Sequence, residues 1–440
     1  GGTGSELTPQ EIVALRRVLG VAEDVSEPAI SLPAFLDRFP AHLRPLVQPL
    51  FFRLSREPES RFTRWRRNAN ILGGATSTSP SGTSQGSIIA QMESDEEPCA
   101  PLQHLVAGLS VFIRGGVSWP VLLEAWVGED GSDPCAGARA EAAAELAATL
   151  CFWCAHPSLC PGPGVPGGVT PSAAASVLAG WEPDPLEAVL SALCRSPDNR
   201  SPSSEGAGTS AEVTERLMDT VPFLPLSVGP RLSQALFDAP PSPDCHGLQS
   251  RILDRGLAFL LRGIGKSLWS SGPWDLLYSD WRDGRSFSAF LQGVLHYKGV
   301  AVVVLRAAGD NGEILGAVSD LWEESGASFG GTSECQLFSL WPTLRTFRSM
   351  GKSKHYAYLN SQSKRAPRGV GFGGERGAYR LWIPADLNVC EVLQSDAAFE
   401  SGPLLRHSSS CSISRLEVWG ISGPAALAAQ PHRARTGSAA

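Results

Sequence analysis

The hydrophobic pattern of the chain changes its period near Trp269, and this change limits the possible folds most strongly. Upstream, apolar residues recur every three to four positions, as at Ile12, Leu15 and Val18, which predicts amphipathic helices. Downstream, short runs alternate apolar and polar residues between turn residues, which predicts strands. We therefore expect an α+β protein, with an all-helical N-terminal half followed by a two-sheet β-sandwich with a few helices.

Two helix starts mark the first 40 residues. Thr8-Pro-Gln-Glu11 has the spacing of a capping box with proline at the first helical position, and Ser31 is placed to cap a second helix. The pair resembles a helix-loop-helix of EF-hand type. However, residues 21–29 lack the alternating oxygen ligands, the central glycine and the terminal glutamate that calcium needs. We expect no calcium binding here.

Stretches rich in Ser, Gly and Pro divide the 440 residues, and their composition is typical of flexible connections. The predicted organisation is a degenerate EF-hand-like helical segment (1–70), a flexible linker (71–100), a helical region (101–262) with flexible inserts near 161–172 and 195–210, a strand-rich domain (269–422) and a C-terminal tail (423–440).

Short strands are predicted throughout the C-terminal part. Gly309-Asp-Asn-Gly312 is a hairpin signal between two apolar runs. An amphipathic helix is predicted at 286–297, with Ser286 as its cap and Phe287 on its apolar face. The predicted strands are 301–306, 313–319, 336–341, 355–359, 378–383 and 413–421.

Charge and apolar content exclude two classes of function. The net charge of −7 and the pI near 5.7 give no general attraction to nucleic acid, so we expect no nucleic-acid partner. No uninterrupted apolar stretch reaches about 18 residues, so we expect no membrane span.

The cysteines suggest two kinds of site. Cys151, Cys154, His156 and Cys160 offer possible zinc ligands, but Cys151 and Cys154 close an alanine-rich helical run in which a thiol is an ordinary core residue. We favour core packing and expect no metal. Strands usually bury and silence thiols, yet the strand region holds three candidates for a peroxide-reactive thiol: Cys335, Cys390 and Cys411.

The first residues suggest membrane attachment. With an initiator methionine restored before Gly1, the glycine and Ser5 fit the N-myristoylation pattern. A single myristoyl chain binds membranes weakly, and the arginines of residues 61–67 would add attraction to anionic lipid. An expression scar or a disordered terminus explains the glycines equally well, and a solvated helix face explains the basic run. Gly1 is our lipidation hypothesis.

Gly369, Gly371 and Gly374 fall at the spacing of a dinucleotide-binding loop. Such a loop binds pyrophosphate where a strand precedes it and a helix follows it. Here the run from Ala378 to Ile383 alternates as a strand, so we predict a glycine cluster between strands that serves the backbone. We expect Gly373 and Gly374 to occupy positions where a side chain cannot fit, and we expect no nucleotide or other cofactor.

No catalytic constellation is predicted. Asp283, Ser286 and His296 come nearest to a hydrolase set, but the rise of a helix would separate Ser286 from His296 by about 15 Å. Asp283 is more typical of a turn, and Glu417 of a structural hydrogen bond in a strand. We expect neither turnover nor a small-molecule substrate.

Five motifs follow one another between residues 269 and 422. They are the run from Trp274 to Phe287, Leu315-Gly-Ala317, Cys335-Gln-Leu-Phe338 with Pro342, the glycine stretch Gly369 to Gly374, and Leu416-Glu-Val-Trp419. In this order they resemble the motifs of the TLDc domain. The resemblance implies a fold of two β-sheets with a few helices. It also implies a set of structural motif residues, namely Ser286, Phe287, Gly316, Gly373, Gly374, Glu417 and Trp419.

The resemblance implies a regulator without enzymatic activity. TLDc proteins are linked to binding of the V1 sector of the V-ATPase and to resistance to oxidative stress. With its N-terminal glycine and EF-hand-like helices, the chain is similar to the family's growth-signalling, lysosome-associated member. This similarity implies a cytoplasmic protein that is peripheral on a lysosomal, vacuolar or other endomembrane.

The expected V1 contacts lie in one polar turn and two basic loops, because these are the least core-like segments of the domain. They are Asp280, Arg282, Asp283, Arg285, Arg345, Arg348, Lys352, Lys354, Lys364, Arg365 and Arg368. The alternative functions are a membrane-anchored helical scaffold or adaptor, and an enzyme built on a TLDc domain.

Overall fold

The computed structural model describes twelve stretches of the chain, which form two compact units on either side of residues 238–247. The described residues are 7–22, 25, 28–39, 44–56, 99–114, 117–127, 210–237, 248–269, 274–309, 312–320, 322–324 and 328–428. Gly1, the basic run 61–67, the Cys151 to Cys160 cluster and both inserts predicted within 101–262 lie outside them, as does most of the C-terminal tail.

The N-terminal unit is mainly helical. Its elements are α1 (Pro9–Val18), β1 (Ala29–Ser31), α2 (Leu32–Leu36), α3 (Arg44–Arg56), β2 (Cys99–Pro101), α4 (Leu102–Arg114), α5 (Trp119–Val127), α6 (Ser210–Thr220), a 3₁₀ turn (Leu224–Ser227) and α7 (Val228–Phe237). The capping box at α1 is confirmed, because Thr8 Oγ1 accepts a hydrogen bond from the Glu11 amide and Glu11 Oε2 accepts one from the Thr8 amide. Ser31 caps α2 through the Ala34 amide.

The prediction of an all-helical N-terminal half is not confirmed. β1 and β2 pair in antiparallel register, with Ile30 opposite Ala100. Each strand has three residues, which is too short for alternation to be recognised in the sequence. The strands also lie far apart along the chain, so their pairing depends on the tertiary fold.

The C-terminal unit is built on a large sheet. Its elements are α8 (Arg255–Gly263), α9 (Lys266–Trp269), β3 (Asp275–Ser279), α10 (Asp280–Asp283), α11 (Phe287–Val294), β4 (Ala301–Ala307), β5 (Ile314–Ser319), β6 (Gln336–Trp341), β7 (Arg345–Phe347), β8 (Ala357–Asn360), β9 (Gly369–Phe372), β10 (Leu381–Pro384), β11 (Val389–Val392), β12 (Ser410–Gly420) and α12 (Pro424–Ala428).

All the pairings within this sheet are antiparallel, and β12 is its central strand. The strand order is β7-β6-β5-β4-β12-β11-β10-β9-β8, and β3 also pairs with β12. The first residues of β12 pair with β11, and the residues from Ile413 onward pair with β4. The last four residues, from Glu417 to Gly420, also pair with β3 on the other side. A pair of separate sheets is therefore not confirmed, because one hydrogen-bonded path runs through all the strands.

The strands on the two sides of β12 share one hydrophobic core. Val303 and Leu315 come from the β4–β5 side, and Phe372 and Leu381 come from the β9–β10 side, yet all four lie in the same buried cluster. Side chains alternate between the two faces of a strand, so Leu416 on β12 points into this core while Glu417 points to the opposite face. That alternation positions the site described below.

The helix predicted at 286–297 is shorter in the structure. α11 ends at Val294, because Leu295 leaves the helical region and His296 has a left-handed φ of 63°. Among the described residues, none of the helices is both long enough and apolar enough to cross a bilayer.

Four strands of the C-terminal unit were not predicted, and the first of them is β3, which has five residues and no β-branched side chain. β7 lies in a segment that we expected to be a loop, β9 contains two glycines, and β11 has only four residues. Each lacks the run of alternating, β-branched residues that identifies a strand from sequence. The pairing that defines these strands comes from their neighbours in the sheet.

Candidate functional site

Glu417 is a fully buried carboxylate that joins three segments of the C-terminal unit. Its oxygens accept hydrogen bonds from Ser250 Oγ at 2.5 Å and the Arg251 amide at 2.8 Å. They also accept bonds from the indole nitrogens of Trp281 at 3.2 Å and Trp419 at 3.0 Å. Four donors replace the water that the carboxylate loses on burial, which removes most of the cost of burying a charge. Glu417 thereby fixes both the segment before α8 and the helix α10.

The polar segment from Asp280 to Arg285 lies directly beside this carboxylate. We expected a simple turn here. In the structure the segment forms the one-turn helix α10, which is followed by Gly284 with a φ of 78°. The Asp280 side chain is only 5% exposed and accepts a hydrogen bond from Arg285 at 2.8 Å. Asp280 is therefore a poor contact residue, because its carboxylate is already engaged inside the domain.

The two arginines of this segment are exposed but held in place. Arg285 donates to the carbonyls of Ile413 and Ser414, each at 2.9 Å. Arg282 donates to the Leu277 carbonyl at 3.2 Å and to Asp283, which in turn accepts from the Ser279 amide at 2.9 Å. Side chains anchored in this way lose little conformational entropy on binding a partner. The segment forms a preorganised polar surface, which we call the α10 surface (residues 280–285).

The basic residues occupy a different part of the sheet. Arg345 is half-buried in β7 and donates to the Pro403 carbonyl, so our expectation of a loop at this residue was wrong. Burial, with the nearby Arg406 second, lowers the pKa of Arg345. The remaining basic residues are exposed, and they are Arg348, Lys352, Lys354, Lys364, Arg365 and Arg368.

These exposed residues lie at the two ends of β8, in the segments before it and between β8 and β9. β8 is four strands away from β12 in the sheet order. The predicted contact residues therefore belong to three regions of the domain: the α10 surface, strand β7 at Arg345, and the segments at the ends of β8.

The glycine turn after β9 uses its amides within the protein. Gly373 and Gly374 have φ values of 65° and 75°, in the region that favours glycine. A Cβ on Gly374 would lie 2.2 Å from the Ala378 carbonyl oxygen. The Gly374 amide donates to Asp396 Oδ2 at 2.8 Å, so a carboxylate of this chain occupies the place that a nucleotide phosphate would need.

Gly369 and Gly371 have a separate role. They belong to β9 itself, so the prediction of a glycine cluster between strands was wrong for these two residues. A Cβ on Gly371 would collide with the ring of Tyr379, and one on Gly369 with the ring of Trp382. The two rings stack with centroids 4.3 Å apart. The glycines thus leave space for aromatic rings to lie flat against the strand.

Sequence reasoning missed a buried ion pair beside this turn. Arg380 is completely buried, and its Nε lies 3.7 Å from Asp396 Oδ1. Burial lowers the pKa of Arg380 to about 10, and Asp396 opposes that shift. Asp396 also accepts from the amides of Ala398 and Phe399. The only signal in the sequence was a charged residue inside the predicted strand 378–383; in the structure β10 begins one residue later, at Leu381.

Asp283, Ser286 and His296, the residues nearest to a hydrolase set, each bond to other partners in the structure. Asp283 is bonded to the Ser279 amide, and Ser286 Oγ lies 2.8 Å from Ser288 Oγ. Ser286 occupies the N-cap position of α11 without making the expected side-chain cap, because its hydroxyl pairs with Ser288. His296 lies beyond the helix end, and its amide donates to the Trp322 carbonyl.

The remaining motif residues pack the domain. A Cβ on Gly316 would lie 1.9 Å from the Val303 carbonyl oxygen, so only glycine fits between β4 and β5. Phe287 stacks on Phe290 with centroids 5.9 Å apart. Burial raises the pKa of the Cys335 thiol to about 12, and the neighbouring Asp320 adds to the shift. Among the described residues, no three His, Cys, Asp or Glu side chains converge as metal ligands.

Comparison with known proteins identifies the C-terminal unit. Residues 248–422 match the family model described as "TLDc domain". The match includes Ser250 and Arg251, both of which bind Glu417.

Curated relatives named "MTOR-associated protein MEAK7" match part of the chain. The protein from Danio rerio is 31% identical over 206 residues, which is 45% of this chain and 45% of that protein. The one from Gallus gallus is 29% identical, covering 41% and 38%, and the one from Homo sapiens is 30% identical, covering 34% and 33%. The matched region spans less than half of the length of these relatives.

Proposed function

We propose that this chain, which contains a TLDc domain, is a non-enzymatic regulator that binds the V1 sector of the V-ATPase through that domain. The observation that carries the proposal is the TLDc match over residues 248–422. Two features of the structure support binding over catalysis. The α10 surface is anchored to the backbone, and the residues of the nearest hydrolase set have separate partners.

The biological setting is part of the same proposal. The names of the relatives associate those proteins with MTOR, and we extend this association to growth signalling by the present chain. We place the protein in the cytoplasm, peripheral on a lysosomal or vacuolar membrane, with a role in resistance to oxidative stress. The TLDc resemblance supports this setting.

The test uses the full chain and purified V1. Tagged protein should retain V1 subunits stoichiometrically, and added protein should change proton pumping in proportion to its occupancy of V1. We expect Lys364→Glu or Arg368→Glu to weaken binding at least about fivefold if the ends of β8 contact V1, because charge reversal at an interface introduces repulsion. Asp283→Lys tests the α10 surface in the same way.

The matched control is Arg255→Glu. Arg255 is an exposed cation in the first turn of α8, where an acidic residue is compatible with the helix dipole, so the variant should fold and bind normally. Failure of the full chain to retain V1 would contradict the proposal. Recovery of other partners by the N-terminal half would then favour the helical scaffold, and multiple turnovers on a substrate would favour an enzyme.

Membrane attachment through Gly1 is tested separately. Gly1→Ala should move the protein from the membrane fraction to the soluble fraction, because myristoylation requires that glycine. Neutralising the arginines at 64, 66 and 67 should weaken membrane binding further at low salt. An unmodified α-amine in the intact mass of the cellular protein would contradict the lipid anchor.

A further inference from the structure

Cys390 and Cys411 lie opposite each other on β11 and β12. Backbone hydrogen bonds join Val392 to Ser409 and Ile413 to Asn388, two residues away on either side. Because such bonds alternate along an antiparallel pair, the two cysteines occupy a hydrogen-bonded position with Cα atoms about 5.5 Å apart. That separation lies within the range of disulfides, roughly 4.4–6.8 Å. Their side chains project from the same face of the sheet.

The two thiols differ in their access to solvent. Cys390 is completely buried in the core, whereas Cys411 is half-buried and lines a cavity of about 540 Å³. The other polar residues that line this cavity are Glu313, His407, Ser408, Ser410 and Ser412. A small polar oxidant that enters this cavity therefore reaches the half-buried Cys411, while Cys390 stays covered.

The contact between the thiols also shifts their pKa values in opposite directions. A hydrogen bond from Cys390 lowers the pKa of Cys411, and the same contact together with burial raises the pKa of Cys390. Burial, and after it the charge of Glu313, oppose the lowering of the Cys411 pKa. Since the thiolate is the nucleophile, Cys411 is the attacking residue and Cys390 keeps the proton until the second step.

We propose that Cys390 and Cys411 are a hydroperoxide-responsive dithiol that closes to a disulfide between β11 and β12. The Cys411 thiolate attacks the O–O bond, which breaks to give the Cys411 sulfenic acid and a hydroxide ion that is protonated to water. Cys390 then loses its proton, and its sulfur attacks Cys411 Sγ and expels the second hydroxide, also as water. In sum, two thiols and one hydrogen peroxide give one disulfide and two waters.

The crosslink would act on the central strand of the domain. The chain between the two cysteines contains Asp396, which binds the glycine turn, and β12 changes partners just after Cys411. Closing this loop restricts the unfolded chain, so the oxidised protein should unfold at higher temperature. The proposal does not depend on binding to V1.

The test is peptide mapping of the full chain after treatment with hydrogen peroxide. Trypsin cleaves after Arg380, Arg406 and Arg415, so Cys390 and Cys411 fall in separate peptides, 381–406 and 407–415. Free thiols are blocked before digestion. We expect the two peptides to be joined with the loss of two hydrogens, and dithiothreitol should release them.

Three comparisons make the test decisive. Cys390→Ala should leave the Cys411 sulfenic acid trapped by dimedone, and Cys411→Ser should leave Cys390 reduced. Cys335, whose buried thiol touches Asp320, is the internal control and should react with peroxide far more slowly than Cys411. The proposal is overturned if the wild-type peptides stay unlinked, if Cys335 reacts as fast, or if Cys411 pairs instead with another cysteine.

Discussion

Glu417 and Glu11 both connect residues that are more than 100 positions apart, but they do so in opposite environments. Glu417 is completely buried in the C-terminal unit and binds Ser250, Arg251 and two indoles. Glu11 lies at the surface of the N-terminal unit, where it binds Arg114 and completes the capping box with Thr8.

The difference teaches how much a carboxylate contributes when water can replace its partners. The Trp419 indole is buried and the other three bonds to Glu417 are part-buried, so removing the carboxylate leaves these donors poorly satisfied. Arg114 and the Thr8 amide can be solvated if Glu11 is lost. We therefore expect the stability of the TLDc domain to depend on Glu417 far more than the helical unit depends on Glu11.

The largest effect is expected for Glu417→Ala. Removing the buried acceptor should lower the free energy of unfolding of the C-terminal unit by about 4 kcal/mol, because four donors and a small cavity remain. Urea unfolding measures the change. Glu391→Ala is the control, since Glu391 is an exposed carboxylate on the adjacent strand β11, and should cost less than about 0.5 kcal/mol. Equal losses of unfolding free energy in the two variants would contradict the contrast between buried and exposed carboxylates.

The next effect tests whether stability is concentrated at Glu417 or shared with the glycine turn. Gly374→Val should lower the free energy of unfolding by about 3 kcal/mol, because the residue has a positive φ and its side chain would collide with the Ala378 carbonyl. Gly377→Val is the control for backbone strain alone, because Gly377 also has a positive φ but open space around its Cβ position. A Gly374→Val protein with an unchanged melting temperature would contradict the role given to the turn.

A smaller effect is expected when one donor to Glu417 is removed. Trp281→Phe keeps an aromatic ring but loses the indole N–H, so the free energy of unfolding should fall by about 1 kcal/mol. Hydrogen exchange of the α10 amides should increase together with this loss. Unchanged exchange and stability would show that Trp281 does not couple the α10 surface to Glu417.

Local features of the sequence were sufficient to predict the capping box at Thr8, the strand 336–341 and the change from helices to strands. They were insufficient where the cause lies elsewhere in the chain. β9 is a strand because it pairs with β8 and β10, and its glycines leave space for Tyr379 and Trp382. Asp280 is nearly inaccessible, with Arg285 and Arg415 of β12 beside its carboxylate. The Cys390–Cys411 pair depends on the register of β11 and β12, which neither segment encodes alone.

The smallest effect is expected for Glu11→Gln. The hydrogen bond from Arg114 lowers the pKa of Glu11, so the folded state favours the charged carboxylate. This contribution is present above the pKa of the unfolded chain and is lost as the pH falls through the lowered pKa. Because both side chains are partly exposed, we expect at most about 0.5 kcal/mol at neutral pH and less at high salt. The difference between wild type and Glu11→Gln in urea unfolding should therefore vanish in acid. A difference that persists there would mean that Glu11 stabilises α1 through the shape of its cap and not through its charge, and the contrast with Glu417 would then be one of geometry.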